Sequence, residues 1–168
     1  MIKALCIILG TLSHSKECAK NLEMKKNQTS ISASALKQVL QESHIEVFGE
    51  KANINRINMA WAQIALENGK GKLVYNYNLG NIGAHATKNT KLFYRVADSK
   101  FRSFLSFREG AKNYWKILKN RCPGSLRYFS FGDVKSAATM LKTCNYYESD
   151  LDLYYKNMNS LFKESFKY

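Results

Sequence analysis

The chain has 168 residues, about the length of one domain and enough to bury roughly two-thirds of the surface that its unfolded form exposes. Stability therefore does not require a disulfide framework. Lysine and arginine number 26 against 13 acidic residues, which gives a formal net charge of +13, and eleven basic side chains lie between residues 86 and 127. This central charge favours a polyanionic partner, whether nucleic acid, an acidic membrane or bacterial wall polymers.

Residues 1–15 have the order of a secretory leader, with a basic start, a short apolar core and small residues at the end. The apolar core is too short to span a bilayer, so no stable membrane insertion is expected. A first buried helix or strand is the alternative to a signal peptide. If the leader is removed, Cys18, Cys122 and Cys144 remain, an odd number that leaves at least one thiol unpaired. Residues 16–168 are predicted to form a single domain.

Hydrophobic periodicity predicts a mostly α (α+β) fold, with helices over residues 31–40, 57–67, 106–119, 134–141 and 151–162. Ser106 and Glu109 read as a capping box for the third of these, and Asp133 as the cap of the fourth. Segments 91–96 and 101–105 predict a small β-hairpin lobe with a turn at 97–100. The only proline, in 122-CPGS-125, predicts a loop between helices.

Glu67 ends the almost wholly apolar run 61-WAQIALENGKGK-72. Gln63 lies one turn earlier on the same strip, and Gly69 is placed to end the helix in a left-handed cap. The negative end of the helix dipole and the apolar neighbours both raise the pKa of a carboxyl at this position. A glutamic acid that stays protonated near neutral pH can act as a general acid on a glycosidic bond. The alternative is a solvent-exposed Glu67 paired with Lys70 or Lys72.

Four segments in order, over about residues 55 to 166, resemble the lysozyme-like wall-lytic domains of the family 73 glycoside hydrolases. The helix motif of that family, A-Q-A-x-L-E-S-G-W-G followed by N-N-L-F-G-I, is similar to 62-AQIALENGKG-71 and 76-NYNLGNI-82. Its F-R-x-Y-x-S-F-x-E-S is similar to 101-FRSFLSFREG-110, and its Y-A-T-D to 147-YESD-150. The resemblance implies a lysozyme-like helical domain with a β-hairpin lobe.

On this resemblance Glu67 matches the catalytic glutamate of the family and Tyr147 its active-site tyrosine. Asn78 matches the asparagine that closes the floor of the cleft; the other substrate-binding candidates are Gln63, Asn81 and Tyr77. Lys70 stands where the family usually has a tryptophan, so the sugar platform is expected to differ.

The second catalytic group is the larger departure from the family. Between Glu67 and Glu109 the only acid is Asp98, which by pattern occupies the hairpin turn, where aspartate is common for turn chemistry alone. Without a second carboxylate, catalysis could use an activated water, the N-acetyl group of the substrate, or intramolecular attack that gives an anhydro sugar.

The sequence thus predicts a peptidoglycan glycan-strand hydrolase, with an endo-β-N-acetylglucosaminidase favoured over a muramidase or lytic transglycosylase on the same scaffold. The expected partner is bacterial peptidoglycan, without nucleic acid, metal or cofactor. The expected location is secreted, periplasmic or directed to the cell wall, and a phage-encoded lysin fits equally. A basic nucleic-acid-binding protein and an inactive wall-binding domain are the alternatives from other classes.

Overall fold

A computed structural model describes residues 22–84 and 92–168. Within them the fold is six helices and five short strands. The helices are α1 (Ala33–Phe48), α2 (Ile54–Asn68), α3 (Phe107–Arg121), α4 (Pro123–Phe131), α5 (Val134–Thr143) and α6 (Leu151–Ser165). The strands are β1 (Leu22–Glu23), β2 (Gln28–Thr29), β3 (Val74–Tyr75), β4 (Leu92–Val96) and β5 (Ser99–Arg102). The predicted class, mostly α with a small β-hairpin lobe, is confirmed. The candidate leader, residues 1–15, lies outside the described residues, as does Cys18.

Helix α2 runs through the centre of the core, and every residue from Ile57 to Ala65 is buried. It packs against α1, α4 and α6, which is why it has almost no polar face. The helix begins at Asn53, whose side chain accepts from the backbone N–H of Arg56 at 2.9 Å. It ends at Gly69 with φ 62°, the predicted left-handed cap. The position of Glu67 in the last turn follows directly from this ending.

Helix α3 packs along α1. Leu36 and Leu40 of α1 are buried in the core, as are four residues of α3, Ala111, Tyr114, Trp115 and Leu118. Ser106 Oγ accepts from the N–H of Glu109 at 3.3 Å, while the Glu109 carboxylate accepts from the N–H of Leu105 at 3.0 Å. The predicted cap is therefore present, with its return bond one residue earlier than in the usual capping box. Trp115 Nε1 donates to the carbonyl oxygen of Leu40 at 2.9 Å and ties the two helices together.

The prediction of a loop around Pro123 is wrong, because Pro123 is the first residue of α4. Proline suits this position: its missing N–H would have no partner in the first helical turn, and its fixed φ is already helical. Cys122, at the junction of α3 and α4, forms a disulfide with Cys144 at the end of α5, with the Cα atoms 5.6 Å apart. Two of the three cysteines that would remain after removal of the leader are thus paired.

Helices α5 and α6 form where periodicity predicts them, and α5 has its predicted cap. Asp133 accepts from the N–H of Ser136 at 3.1 Å, and α5 buries Val134, Ala137, Ala138 and Leu141. Asp150 caps α6 in the same way, and α6 buries Tyr154 and Met158 against the core. In the second half of the chain α4 packs on α5 and α5 on α6, and both α4 and α6 pack on α2.

Strands β4 and β5 form the predicted hairpin, but its turn is shorter than expected. Val96 pairs with Ser99, so only Ala97 and Asp98 lie in the turn and β5 begins at Ser99 instead of residue 101. Strand β1 adds a parallel third strand beside β4, and β2 pairs with β3 in a separate two-stranded sheet. The sequence does not predict β1, β2 or β3, because two residues are too few to show alternation.

None of the helices in the described part of the chain combines the length and the apolar character needed to cross a membrane.

Candidate active site

A cavity of about 780 Å³ opens beside the end of α2. Its wall comes from five parts of the fold. These are the last turn of α2, the loop at 80–83, Arg102 on β5, the end of α3 with Arg121, and residues between 145 and 157 around the start of α6. Only the folded chain brings these parts together, so local patterns in the sequence do not reveal the full set.

Glu67 stands in the wall of this cavity and is partly removed from water. Burial raises the pKa of its carboxyl, and a contact with the Tyr154 hydroxyl lowers it to a smaller extent. The hydroxyl lies 3.5 Å from Glu67 Oε1, at the long end of the range for hydrogen bonds. The predicted direction of the pKa shift is confirmed, with burial as its main cause.

The alternative role for Glu67, an ion pair in solvent, is wrong. Lys70 Nζ pairs with Glu164 on α6 at 2.7 Å, and the Glu164 carboxylate also accepts from Tyr168. Lys70 itself has φ 62°, since the chain is still turning away from α2. These contacts hold Lys70 outside the cavity, so Glu67 keeps no cationic neighbour from its own turn.

Asparagine side chains fix the following loop onto the end of α2. Asn81 Nδ2 donates to the backbone carbonyl oxygen of Glu67 at 2.6 Å, satisfying a carbonyl that the helix leaves free. Asn68 Nδ2 donates to the carbonyl of Leu79 at 2.9 Å, and its Oδ1 accepts from Gly71. Asn81 also lines the cavity, in keeping with its predicted place at the site.

Three tyrosines, Tyr146, Tyr147 and Tyr154, also line the cavity. Tyr147 stacks on Tyr154 with ring centroids 3.5 Å apart and planes 3° from parallel. The Tyr147 hydroxyl donates to the carbonyl of Ala138 at 3.0 Å, so it is not the hydroxyl that meets Glu67. That hydroxyl belongs to Tyr154, whose pKa is raised by burial and by the nearby charge of Glu67. The sequence predicts Tyr154 only as a residue of the α6 stripe, since nothing local links it to Glu67, 87 residues away.

Gln63 and Asn78 lie behind the cavity wall. Gln63 is fully buried one turn before Glu67, and its Oε1 accepts from the Tyr114 hydroxyl. The Asn78 side chain closes a small ring with Ile82, donating to its carbonyl at 3.0 Å and accepting from its N–H at 2.9 Å. Both side chains therefore shape the site from within the core, and neither lines the cavity.

Tyr77 is the predicted site residue that the structure places elsewhere. Its ring packs edge-on against Phe107 at 5.0 Å, and it does not line the cavity. The cause is the backbone: Asn76 and Tyr77 both have positive φ, 49° and 58°, which turns the chain at this point. The carbonyl of Tyr77 then approaches α3 at Gly110, where a Cβ atom would lie 2.0 Å from its oxygen.

A smaller cavity of about 420 Å³ follows the hairpin and shares Asn81 and Gly83 with the larger one. Asp98 lines it from the hairpin turn and is exposed. A second exposed acid, Glu148, lines the larger cavity directly after Tyr147. The sequence does not single out Glu148, which follows the matched tyrosine in the position of the family alanine. In the described part of the chain no three histidine, cysteine or acidic side chains cluster as metal ligands.

No protein-family model and no curated protein matches this sequence. The fold has counterparts among solved structures. A peptidoglycan hydrolase from Sphingomonas sp. A1 superposes with a TM-score of 0.59 at 18% identity, over 81% of this chain and 94% of that one. The glycoside hydrolase domain of FlgJ from Salmonella typhimurium gives a TM-score of 0.55 at 16% identity, over 80% and 88%.

The chain has the fold of these wall hydrolases. The structural likeness covers most of the chain, and it confirms the fold that the four sequence segments imply. At these identities the likeness concerns the fold, and the chemistry has to be argued from the cavity itself.

Proposed function

We propose that this protein is a glycosidase that cleaves the glycan strands of bacterial peptidoglycan, with Glu67 as the general acid. The observation that carries the proposal is the partly buried carboxyl of Glu67, with its raised pKa, in the wall of a large open cavity. The resemblance of the fold to peptidoglycan hydrolases supplies the substrate class. A raised pKa keeps a carboxylic acid protonated at a pH where exposed carboxylates are ionised, and this supplies the proton for the leaving oxygen.

In the proposed reaction Glu67 transfers its proton to the glycosidic oxygen as the bond to the anomeric carbon breaks. Positive charge then develops on the sugar ring, and the water that completes hydrolysis bonds to the anomeric carbon and loses a proton to the Glu67 carboxylate, which restores the acid. The Tyr154 hydroxyl is placed to donate to Glu67 Oε1 once the carboxyl has lost its proton. Tyr147 supports Tyr154 by stacking on it, and Asn81 is placed to contact the sugar at the cavity wall.

The second catalytic group is the next part of the proposal. Glu148 and Asp98 line the two connected cavities, and both are exposed. We favour attack on the anomeric carbon by the N-acetyl group of the substrate, with water opening the cyclic intermediate, or direct attack by a water held at the cavity wall. Neither acid makes a side-chain hydrogen bond to a described residue that would fix its geometry as a base. The favoured product carries a reducing N-acetylglucosamine end, and the alternative is a muramidase or a lytic transglycosylase.

The basic middle of the chain is proposed to hold the anionic wall. The attraction between exposed charges and an anionic polymer weakens as salt shortens the Debye length from about 10 Å at 0.1 M to about 3 Å at 1 M. Retention on purified sacculi should therefore fall as salt rises, whereas salt-independent retention would mean that sugar contacts dominate. The disulfide between Cys122 and Cys144 agrees with an oxidising compartment such as the periplasm or the exterior.

The deciding experiment measures turbidity of purified sacculi with the parent protein and with Glu67→Gln. Lysis by the parent and none by the variant is expected, with mass spectrometry identifying the released ends. Reducing N-acetylglucosamine supports the favoured bond, reducing N-acetylmuramic acid supports a muramidase, and 1,6-anhydromuramyl ends support a transglycosylase. Full lysis by Glu67→Gln would refute the assignment. A parent protein that leaves sacculi intact but binds an oligonucleotide in a salt-dependent way would favour a nucleic-acid-binding protein.

A further inference from the structure

Two arginines face the same cavity as Glu67 without acidic partners. Arg102 lines it from β5, and Arg121, the last residue of α3, lines it as well. Neither guanidinium forms an ion pair with any carboxylate in residues 22–84 or 92–168. A helix C-terminus favours a cation, which accounts for Arg121 in part, but Arg102 lies on a strand and has no such reason to be there.

The surroundings of Arg102 leave part of its hydrogen-bonding capacity unused. One terminal nitrogen, Nη1, donates to Asn113 at 3.3 Å, while Nε is buried and has no partner among the described residues. Burial lowers the pKa of Arg102, and the charge of Arg121 lowers it further, so the two guanidinium groups lie within electrostatic reach of each other. Two like charges held together at a cavity wall cost free energy unless an anion joins them.

The arginine pair lies on a different part of the wall from the acid. Tyr146 lines the same cavity, and its buried hydroxyl has no partner among the described residues. Burial raises the pKa of Tyr146, Glu67 raises it further and Arg121 lowers it, so the hydroxyl is within electrostatic reach of both. Among the residues that the structure describes, the acids that line this cavity are Glu67 and the exposed Glu148. With Glu67 protonated, the wall therefore carries more positive than negative charge and can accept an anion beside the reacting bond.

We propose that Arg102 and Arg121 form a subsite for a carboxylate carried by a muramyl residue of the substrate. The sugar rings of peptidoglycan are otherwise neutral, and its carboxylates are the free lactyl group or those of the stem peptide. A guanidinium fork matches a carboxylate with two parallel hydrogen bonds, which are stronger than neutral ones. This inference rests on the proposed function for its substrate and adds to it a requirement for a charged muramyl residue.

Binding is measured on the Glu67→Gln background, so that no turnover is needed. The probes are a neutral N-acetylglucosamine oligomer, an N-acetylglucosaminyl-muramic acid disaccharide with a free lactyl carboxylate, and the same disaccharide with a dipeptide that caps the lactyl group and carries its own carboxylate. Arg121→Gln should weaken binding of a carboxylate probe by about ten-fold or more and leave the neutral probe unchanged. The carboxylate probe that loses affinity identifies the source of the anion.

Matched variants separate charge from folding. Arg121→Lys keeps the charge but loses the fork, so we expect it to recover part of the affinity. Lys135→Gln removes one exposed charge from α5, outside the cavity, and should change nothing. Arg102→Gln is a second test, read together with its thermal unfolding because the side chain is partly buried. Equal affinities of Arg121→Gln and its background for all three probes would overturn the subsite. A sacculus that stays intact with the parent protein would instead refute the proposed function.

Discussion

Replacing Glu67 with glutamine should lower activity and raise stability at neutral pH. Glutamine keeps the shape of the side chain but has no proton to transfer, and general acid assistance is worth roughly 100- to 10,000-fold. That loss corresponds to about 3 to 5 kcal/mol of transition-state stabilisation. Turbidity of purified sacculi should therefore fall at a rate lower by at least two orders of magnitude.

The stability change has the opposite sign because folding raises the pKa of Glu67. Below the pKa that Glu67 has in the unfolded chain, its carboxyl is neutral in both states, and ionisation of Glu67 takes nothing from the free energy of unfolding. As pH rises through the folded pKa, the unfolded chain ionises more readily and stability is lost. Each unit of the shift costs about 1.4 kcal/mol, which for a chain of this size lowers Tm by roughly 3 to 5 °C. Glutamine avoids this loss.

The assay is thermal unfolding of both proteins from pH 3 to pH 8. The Tm difference should be small at pH 3 and should grow in favour of Glu67→Gln as pH rises. Glu164→Gln is the control, since Glu164 lies outside the cavity and Lys70 holds its pKa below the usual value. That control should keep full lysis and should not gain stability with pH. If Glu67→Gln were less stable than the parent at pH 7, Glu67 would be ionised in the fold and the general-acid role would fail.

Four further variants test the tyrosine stack, the disulfide and the hairpin turn. Tyr154→Phe removes the hydroxyl that lowers the pKa of Glu67, so the alkaline limb of the pH–activity profile should move to higher pH; Tyr147→Phe should cost about 1 kcal/mol of stability and leave that limb in place. A limb that moves only with Tyr147→Phe would reverse their roles. Replacing Cys122 and Cys144 by serine opens a loop with a sequence separation of 22, for a loss of roughly 3 kcal/mol in chemical denaturation, and an unchanged midpoint would show that the bond adds nothing. Asp98→Asn should leave the lysis rate within a few-fold, because it is an exposed turn residue, and a hundred-fold loss in a folded variant would make it the catalytic base.

The sequence predicts the helical scaffold well because its signals are local. The stripe and caps of α2, α3, α5 and α6 each depend on residues within four positions of one another. The errors have equally local causes. Proline and glycine in 122–125 indicate a loop, but proline is also favoured in a first helical turn, and the pattern alone does not decide between them.

The site is only partly predictable for the opposite reason. Glu67 could be found because helix position, burial and the glycine that follows all occur in one short segment. Its side-chain contact comes from Tyr154, 87 residues away, and two arginines on different elements line the same cavity. The family resemblance leads to Tyr147, which stacks on Tyr154. The direction of the Tyr147 hydroxyl is set by its hydrogen bond to the carbonyl of Ala138 in α5. Side-chain direction at a site is a tertiary property that no local pattern contains.

The disulfide joins two of the segments that form the cavity wall. Cys122 follows Arg121 directly, and Cys144 precedes Asn145 and Tyr146, which line the same cavity. Asn145 has φ 55°, a left-handed conformation that asparagine tolerates better than most residues, and the turn there leads into Tyr146 and Tyr147 in the cavity wall. A covalent link beside such a turn restrains both sides of the wall at once. Catalytic groups need to be held within a fraction of an ångström, so the bond is placed where loosening would separate the arginine pair from the tyrosine stack.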